Sequence, residues 1–299
     1  MEKWRRTSSN YGSGPPWVFR GSALYQFHLV KSEIARAFIP KELKLVEAFG
    51  YTLGGIFLAH YNNSPAGMFD ELVLIPGIVW NPPTSCAWAG RVLVSNQEAC
   101  THGRKEIGLP SQVAMFSKRS NKIINKPLNQ SSGSSKSIHE LELGSIFDNH
   151  DSIEITELVG STEAVFCNIS LSSSALESNS NNKWTGPKIR MSLPSYSGKT
   201  KHNHNLLKYS CQIQCRVQKV ETTKITCSNA AANQAGHFED QKSESDIDIS
   251  TEWNRCISVL LSKPILALKF NMLKMEVHAP SVVIPHISEK LDSKKDSTS

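Results

Sequence analysis

The sequence predicts an α+β chain that is mainly β, and three observations carry that prediction. In YSCQIQCRVQKV, Tyr209, Cys211, Ile213, Cys215 and Val217 alternate with Ser210, Gln212, Gln214, Arg216 and Gln218, the period of a strand with one buried and one wet face. Between residues 56 and 94 the runs IFLAHY, ELVLI, IVW and WAGRVLV are β-branched, aromatic and aliphatic stretches bounded by Pro, Gly and Asn. Helical signals are confined to short segments.

Taken in order, residues 1–14 are polar and Gly/Ser-rich and read as a disordered tail. PPWVF, residues 15–19, opens a single domain that runs to residue 284. Ser32 is placed to cap a brief helix with Ile34, Ala35 and Phe38 on one face, which Pro40 stops. The strands named above follow Gly54-Gly55. Ser95 and Glu98 have the spacing of a capping box, so a helix is expected from about Asn96 to Ile107, ended by Gly108 and Pro110. Weaker alternation marks VFCNISL (165–171) and ILALKFNMLKMEV (265–277), the latter shifting register near Met272 as a bulge would. Residues 118–140, rich in Ser, Asn and Lys, and residues 228–254, polar and acidic, read as loops inserted into the β scaffold; 285–299 reads as a disordered C-terminal tail.

Composition excludes several function classes. The net charge of +6 is spread along the chain, and its local concentrations, at Lys3, Arg5 and Arg6 and from Lys118 to Lys136, lack interleaved aromatics, so no nucleic-acid partner is expected. Seven cysteines, an odd number without CxxC spacing or a secretory leader, point to reduced thiols inside the cell. Cys211 and Cys215 face the same way on a strand but lack companion ligands, so neither metal nor cofactor is expected. The longest apolar run, residues 72–80, is far short of the about twenty residues of a spanning helix, so the chain is not expected to be transmembrane.

The segments GGIFLAHYNNSPAGMFDELVLIPG, GRKEIGLP, IRMSLPSYSG (189–198) and PILALKF resemble the acetoacetate decarboxylase-like superfamily over residues 15–220 and 258–284. That resemblance implies a conical closed antiparallel β-barrel with a few flanking helices around an interior pocket. In the decarboxylases a lysine directly after the helix-ending proline forms a Schiff base with the keto acid, and the lysine beside it depresses its pKa. Here Ser111 and Gln112 stand at those positions. Neither a hydroxyl nor a neutral amide condenses with a ketone to give the iminium electron sink, so decarboxylation by that route is excluded. The nearest amines are Lys105 on the helix and Lys118 at the start of a polar loop.

The pocket candidates that follow are Glu71, which matches the family's pocket glutamate, Arg91, Arg104, Ser111 and Gln112. Arg104 has the planar fork to clamp a carboxylate, or simply complements a helix C-terminus. Arg91, between Gly90 and Val92 on an apolar strand, must be paired or line a polar cavity. His60 and His102 titrate near neutrality and are candidate acid–base groups. An arginine found early in the decarboxylases falls near Ser22.

Closer still, PPWVF, FGYTLGG, VWNPPTSCAWAGRVLV and EACTHGRKEIGLPS resemble a plant branch of that superfamily required for neoxanthin formation, on the xanthophyll route towards abscisic acid. The resemblance implies an accessory or ligand-binding protein, holding a hydrophobic or amphipathic small molecule such as a xanthophyll or supporting the neoxanthin-forming enzyme. The alternative is a non-covalent acid–base enzyme, an isomerase or lyase, using Glu71 and a neighbouring polar group. A purely structural protein docking through its two polar insertions is a third class. The pathway implies the plastid, although residues before 15 are short for a transit peptide, with the cytosol as the alternative. Decarboxylase relatives suggest a homo-oligomer.

Overall fold

The computed structural model describes residues 10–120, 150–159, 162–171, 186–227 and 244–283. The strands are β1 (Trp17–Lys31), β2 (Tyr51–Asn63), β3 (Phe69–Ile75), β4 (Ile78–Asn81), β5 (Thr84–Trp88), β6 (Arg91–Val94), β7 (Ser111–Arg119), β8 (Ser152–Val159), β9 (Thr162–Ser170), β10 (Lys188–Thr200), β11 (Asn203–Val220), β12 (Lys224–Thr226), β13 (Lys263–Val277) and β14 (Ser281–Val282). The helices are α1 (Ser32–Arg36), α2 (Gln97–His102) and α3 (Glu244–Leu260), with a π-helical turn at Gly103–Ile107.

Alternation decides how these strands pack. Inward residues of β1, β2 and β13, among them Phe19, Tyr25, Phe57, Tyr61 and Phe270, make one core on the concave side of a strongly curled sheet. The outward residues Leu24, Ile56, Leu58, Leu72, Leu74 and Leu93 make a second core. Against them pack Ile153, Ile155, Phe166 and Ile169 of β8 and β9, and Trp253, Cys256, Val259 and Leu260 of α3. Both faces of the central strands are therefore buried, which is why IFLAHY and ELVLI read as nearly continuous apolar runs.

Hydrogen bonding orders the strands β12-β9-β8-β7-β6-β3-β2-β1-β13-β11-β10-β5-β4, with β14 beside β11. Neighbours are antiparallel except β6–β7 and β5–β10. The mainly β architecture with few helices is as expected, but the closed barrel is not: among the described residues no ladder joins the two ends. β6 pairs with β7 and leads the chain away into the outer layer instead of meeting β5. Gly90 N–H to Leu74 O, 2.9 Å, extends the β3–β6 ladder, and Gly198 N–H of β10 reaches across to Gly108 O at 2.9 Å.

Other expectations are corrected locally. The cap of α2 is Asn96, whose side chain accepts from Glu98 N and Ala99 N; Ser95 Oγ instead accepts from Asp70 N at 2.8 Å. Ser32 is already inside α1, and Lys31 in the cap position makes no side-chain cap. Lys118 lies in β7, ion-paired with Asp70 at 2.9 Å, rather than in a loop. Residues 244–254, expected to be loop, are the first turns of α3, while 121–140 and 228–243 lie outside the described residues, as do 1–9 and 285–299. Residues Asn10–Ser13 of the expected tail form a 3-10 turn. The bulge near Met272 is present: β13 slips by one residue against both β1 and β11 there, and Met272 takes φ +52°.

Candidate functional site

The concave face encloses a cavity of about 380 Å³. Its lining is aromatic and aliphatic, with hydroxyls from Thr84, Ser85, Ser192 and Ser195, and among the described residues it holds a single carboxylate, Glu71, and no lysine, arginine or histidine. Glu71 lies in β3 opposite Ala59, whose small side chain leaves it room, and diagonal to Tyr61, which is opposite Phe69. From there the Tyr61 hydroxyl donates to Glu71 Oε2 at 2.7 Å.

Burial pushes the Glu71 carboxyl up to about 7, against the opposing effect of the Tyr61 hydrogen bond. Tyr61, Tyr209 and Cys211 surround it. Burial, followed by the Glu71 charge, raises the Cys211 thiol to about 12; burial also raises both phenols, to which Glu71 again contributes. At neutral pH Glu71 is therefore divided between acid and carboxylate, while its neighbours keep their protons and act as donors. A buried carboxyl poised in this way can take up, release or share a proton.

The turn after α2 shapes one wall. Gly108 has φ +68°, and a Cβ there would meet Leu207 Cδ1 at 2.9 Å and Gly198 Cα at 3.1 Å. Ser197 Oγ donates to Ile107 O at 2.5 Å. The π-helical turn so fixed directs Ile107 and Leu109 into the cavity.

The remaining sequence candidates are not in that lining. Ser111 is buried beneath Gly103, where a Cβ on the glycine would lie 2.9 Å from Ser111 Oγ. Arg104 Nε donates to the Ser111 carbonyl at 2.6 Å and so braces the turn. Arg91 and Gln112 lie on the convex side. There Arg91 donates to Gln112 Oε1 at 3.0 Å, to Glu157 Oε2 at 2.5 Å and to Glu252 Oε1 at 3.1 Å, with Phe166 and Trp253 against its guanidinium. Of the two environments open to Arg91, the paired one is realised. His60 Nδ1 bonds Asp70 Oδ1 at 2.7 Å, also on the convex side, where Ser22 is its cross-strand neighbour. His102 stacks on Tyr11, centroids 3.6 Å apart, and against Trp17; burial holds its pKa down to about 4, so it is neutral.

Glu71 is thus the one sequence candidate in the cavity. The residues missed were Tyr61, Tyr209 and Cys211. Tyr209 and Cys211 belonged to the clearest alternating strand, but alternation marks a buried face without distinguishing packed core from cavity wall.

No family model matches the chain. It is 56% identical over 282 residues to Protein NEOXANTHIN-DEFICIENT 1 of Solanum lycopersicum, covering 93% of this chain and 95% of that protein. It is 53% identical over 287 residues to the protein of the same name from Oryza sativa subsp. japonica, covering 95% and 94%. Among solved structures it is similar to an acetoacetate decarboxylase from Legionella pneumophila, with a TM-score of 0.52 and 11% identity over 96% of this chain and 93% of that one, a likeness of fold alone.

Proposed function

The chain belongs to the NEOXANTHIN-DEFICIENT 1 family, a family with a role in neoxanthin biosynthesis, and from that premise we propose that it fills this role as a ligand-binding protein whose cavity takes one end group of a xanthophyll. The observation that carries the reading is the lining: an apolar enclosure with one buried carboxyl–phenol pair, Glu71 and Tyr61. A cyclic, hydroxylated end group presents the complement, apolar carbon with one or two oxygens. The volume of about 380 Å³ lies near the lower end of the roughly 300–1,000 Å³ typical of small-molecule pockets, so a ring-sized piece fits and the rest of a long pigment projects outside.

A second reading is favoured by the position of Glu71 near neutrality. Rearrangement of a violaxanthin epoxide end group is an isomerisation: one proton leaves carbon, the C–O bond opens, and one proton reaches the epoxide oxygen, with no net change of atoms or electrons. Glu71 as carboxylate would accept the first proton, and a phenol beside it would supply the second. Neither reading uses Schiff-base chemistry, since no amine is among the described lining residues.

The test is to incubate the full chain with violaxanthin in detergent micelles and analyse bound and free pigment. Unchanged pigment retained by wild type and lost with Glu71→Gln or Tyr61→Phe supports binding. Conversion to neoxanthin that Glu71→Gln abolishes selects the second reading, and an empty cavity with unchanged pigment refutes both. The same reading carries a site in the plastid, with the cytosol as the alternative, a homo-oligomer and contact with the neoxanthin-forming enzyme. Tissue fractionation, light scattering and co-purification test these in turn.

A further inference from the structure

Past the last residues that line the cavity, the inward-facing alternation runs on into solvent on three strands. On β1, Phe27 lines the cavity and Leu29, two residues on, is exposed; on β2, Leu53 lines it and Tyr51 is exposed; on β4, Ile78 lines it and Trp80 is half exposed. Leu29 lies opposite Leu53, and Lys31 opposite Tyr51. The 44–48 loop is fastened to β4 by Val46 N–H to Ile78 O and Trp80 N–H to Lys44 O, at 2.9 and 2.7 Å. These residues therefore form one contiguous rim at an end of the cavity.

The loop then turns through Phe49, which is 101% exposed and holds φ +52°. A bulky aromatic in the left-handed region is strained, and among the described residues it packs against nothing. A cluster of exposed Phe, Tyr and Trp beside a cavity mouth is a surface that meets something else.

Charge says what that is. Around the rim Glu33, Glu42 and Glu47 are each ion-paired, with Lys31, Lys199 and Arg36. Exposed Lys41, Lys44 and Lys263 have no ion-pair partner among the described residues. Trp and Tyr favour the headgroup layer of a bilayer, and unpaired lysines favour anionic lipid. A second copy of the chain seated here would cover the mouth, whereas a membrane would open it onto the phase in which xanthophylls dissolve.

We propose that the rim of Leu29, Phe49, Tyr51 and Trp80, with Lys41, Lys44 and Lys263 beside it, docks on an anionic lipid bilayer, so that a lipid-dissolved ligand enters the cavity without crossing water. The purpose of the docking rests on the ligand-binding reading. The docking itself is testable without it.

The full chain is sedimented with vesicles of phosphatidylcholine, alone or mixed with anionic phosphatidylglycerol, over a range of salt. Wild type sediments with the anionic vesicles, and more weakly as salt rises. Phe49→Ser with Trp80→Ser, at a fully exposed and a half-exposed site, with folding checked by circular dichroism, weakens partitioning by about tenfold or more, because two aromatic side chains no longer leave water. Lys41→Glu with Lys44→Glu lowers binding to the anionic vesicles only. Wild type remaining in the supernatant, or the aromatic double variant sedimenting like wild type, overturns the inference. So does a change of oligomeric state in that variant with vesicle binding intact, which makes the rim an interface between copies. Pigment retention in detergent without vesicle binding defeats the docking and leaves the ligand reading standing; vesicle binding with no pigment retained does the reverse.

Discussion

Replacing Glu71 by glutamine isolates the cost of holding a carboxyl in the cavity. Its pKa rises from 4.5 to about 7 on folding, mainly through burial. Below pH 4.5 the folded and unfolded chains both carry the proton, and the residue costs nothing through ionisation. Between pH 4.5 and about 7 the unfolded chain has lost the proton while the folded chain retains it, so stability falls as pH rises, and it levels off above that window. The interval corresponds to about 3 kcal/mol at 25 °C. Glutamine keeps the shape and can still accept from Tyr61 but never ionises, so Glu71→Gln should match wild type near pH 4.5 and exceed it by about 3 kcal/mol at pH 8. In thermal unfolding followed by circular dichroism this is a gain of about 5 °C or more at the higher pH. The same fall in stability across the window in the glutamine variant would refute Glu71 as the buried titrating carboxyl.

Tyr61→Phe removes the hydrogen bond that opposes the effect of burial, so the Glu71 carboxyl should titrate higher still, measurable from its infrared band in a pH series. Arg91→Met should destabilise by about 3–5 kcal/mol because it leaves Glu157 charged and buried, and adding Glu157→Leu should recover most of that loss in urea unfolding. Glu252→Gln, half exposed at the edge of the same cluster, should cost less than about 1 kcal/mol. Gly198→Ala should unfold the cavity wall or fail to express as folded protein, since at φ +93° its Cβ would lie 1.8 Å from the Asn205 carbonyl oxygen; limited proteolysis reads this out.

The strands were legible because their two faces differ, and where both faces are buried the apolar runs still gave strands by length and bounding residues. Which face a residue takes was not. Arg91 and Val92 are adjacent on β6; only the packing of β8, β9 and α3 on the convex side shows that the arginine goes to Glu157 and the valine to the concave core. Closure was illegible for a similar reason, since whether β6 meets β5 or follows β7 is a matter of partner choice, which a strand's own residues do not encode. The start of α3 was read as loop because its first residues are acidic and polar, although Trp253, Cys256, Ile257 and Leu260 recur at helical spacing just beyond. Asn96 and Ser95 are both competent caps, and the choice fell to Asn96 because Ser95 Oγ is engaged by Asp70 N.

The absence of an amine from the described lining and the presence of a carboxyl near neutrality bear on each other. A cavity amine would ion-pair with Glu71 and hold it ionised, well below its present range. With Ser111 under Gly103 and Gln112 turned to Arg91, nothing cationic among the described residues lines the cavity. The carboxyl is therefore free to rise towards neutrality against its phenol partner. The described lining is thus largely apolar with a single carboxyl, and an anionic molecule placed there would meet Glu71 without a counter-charge from the described residues.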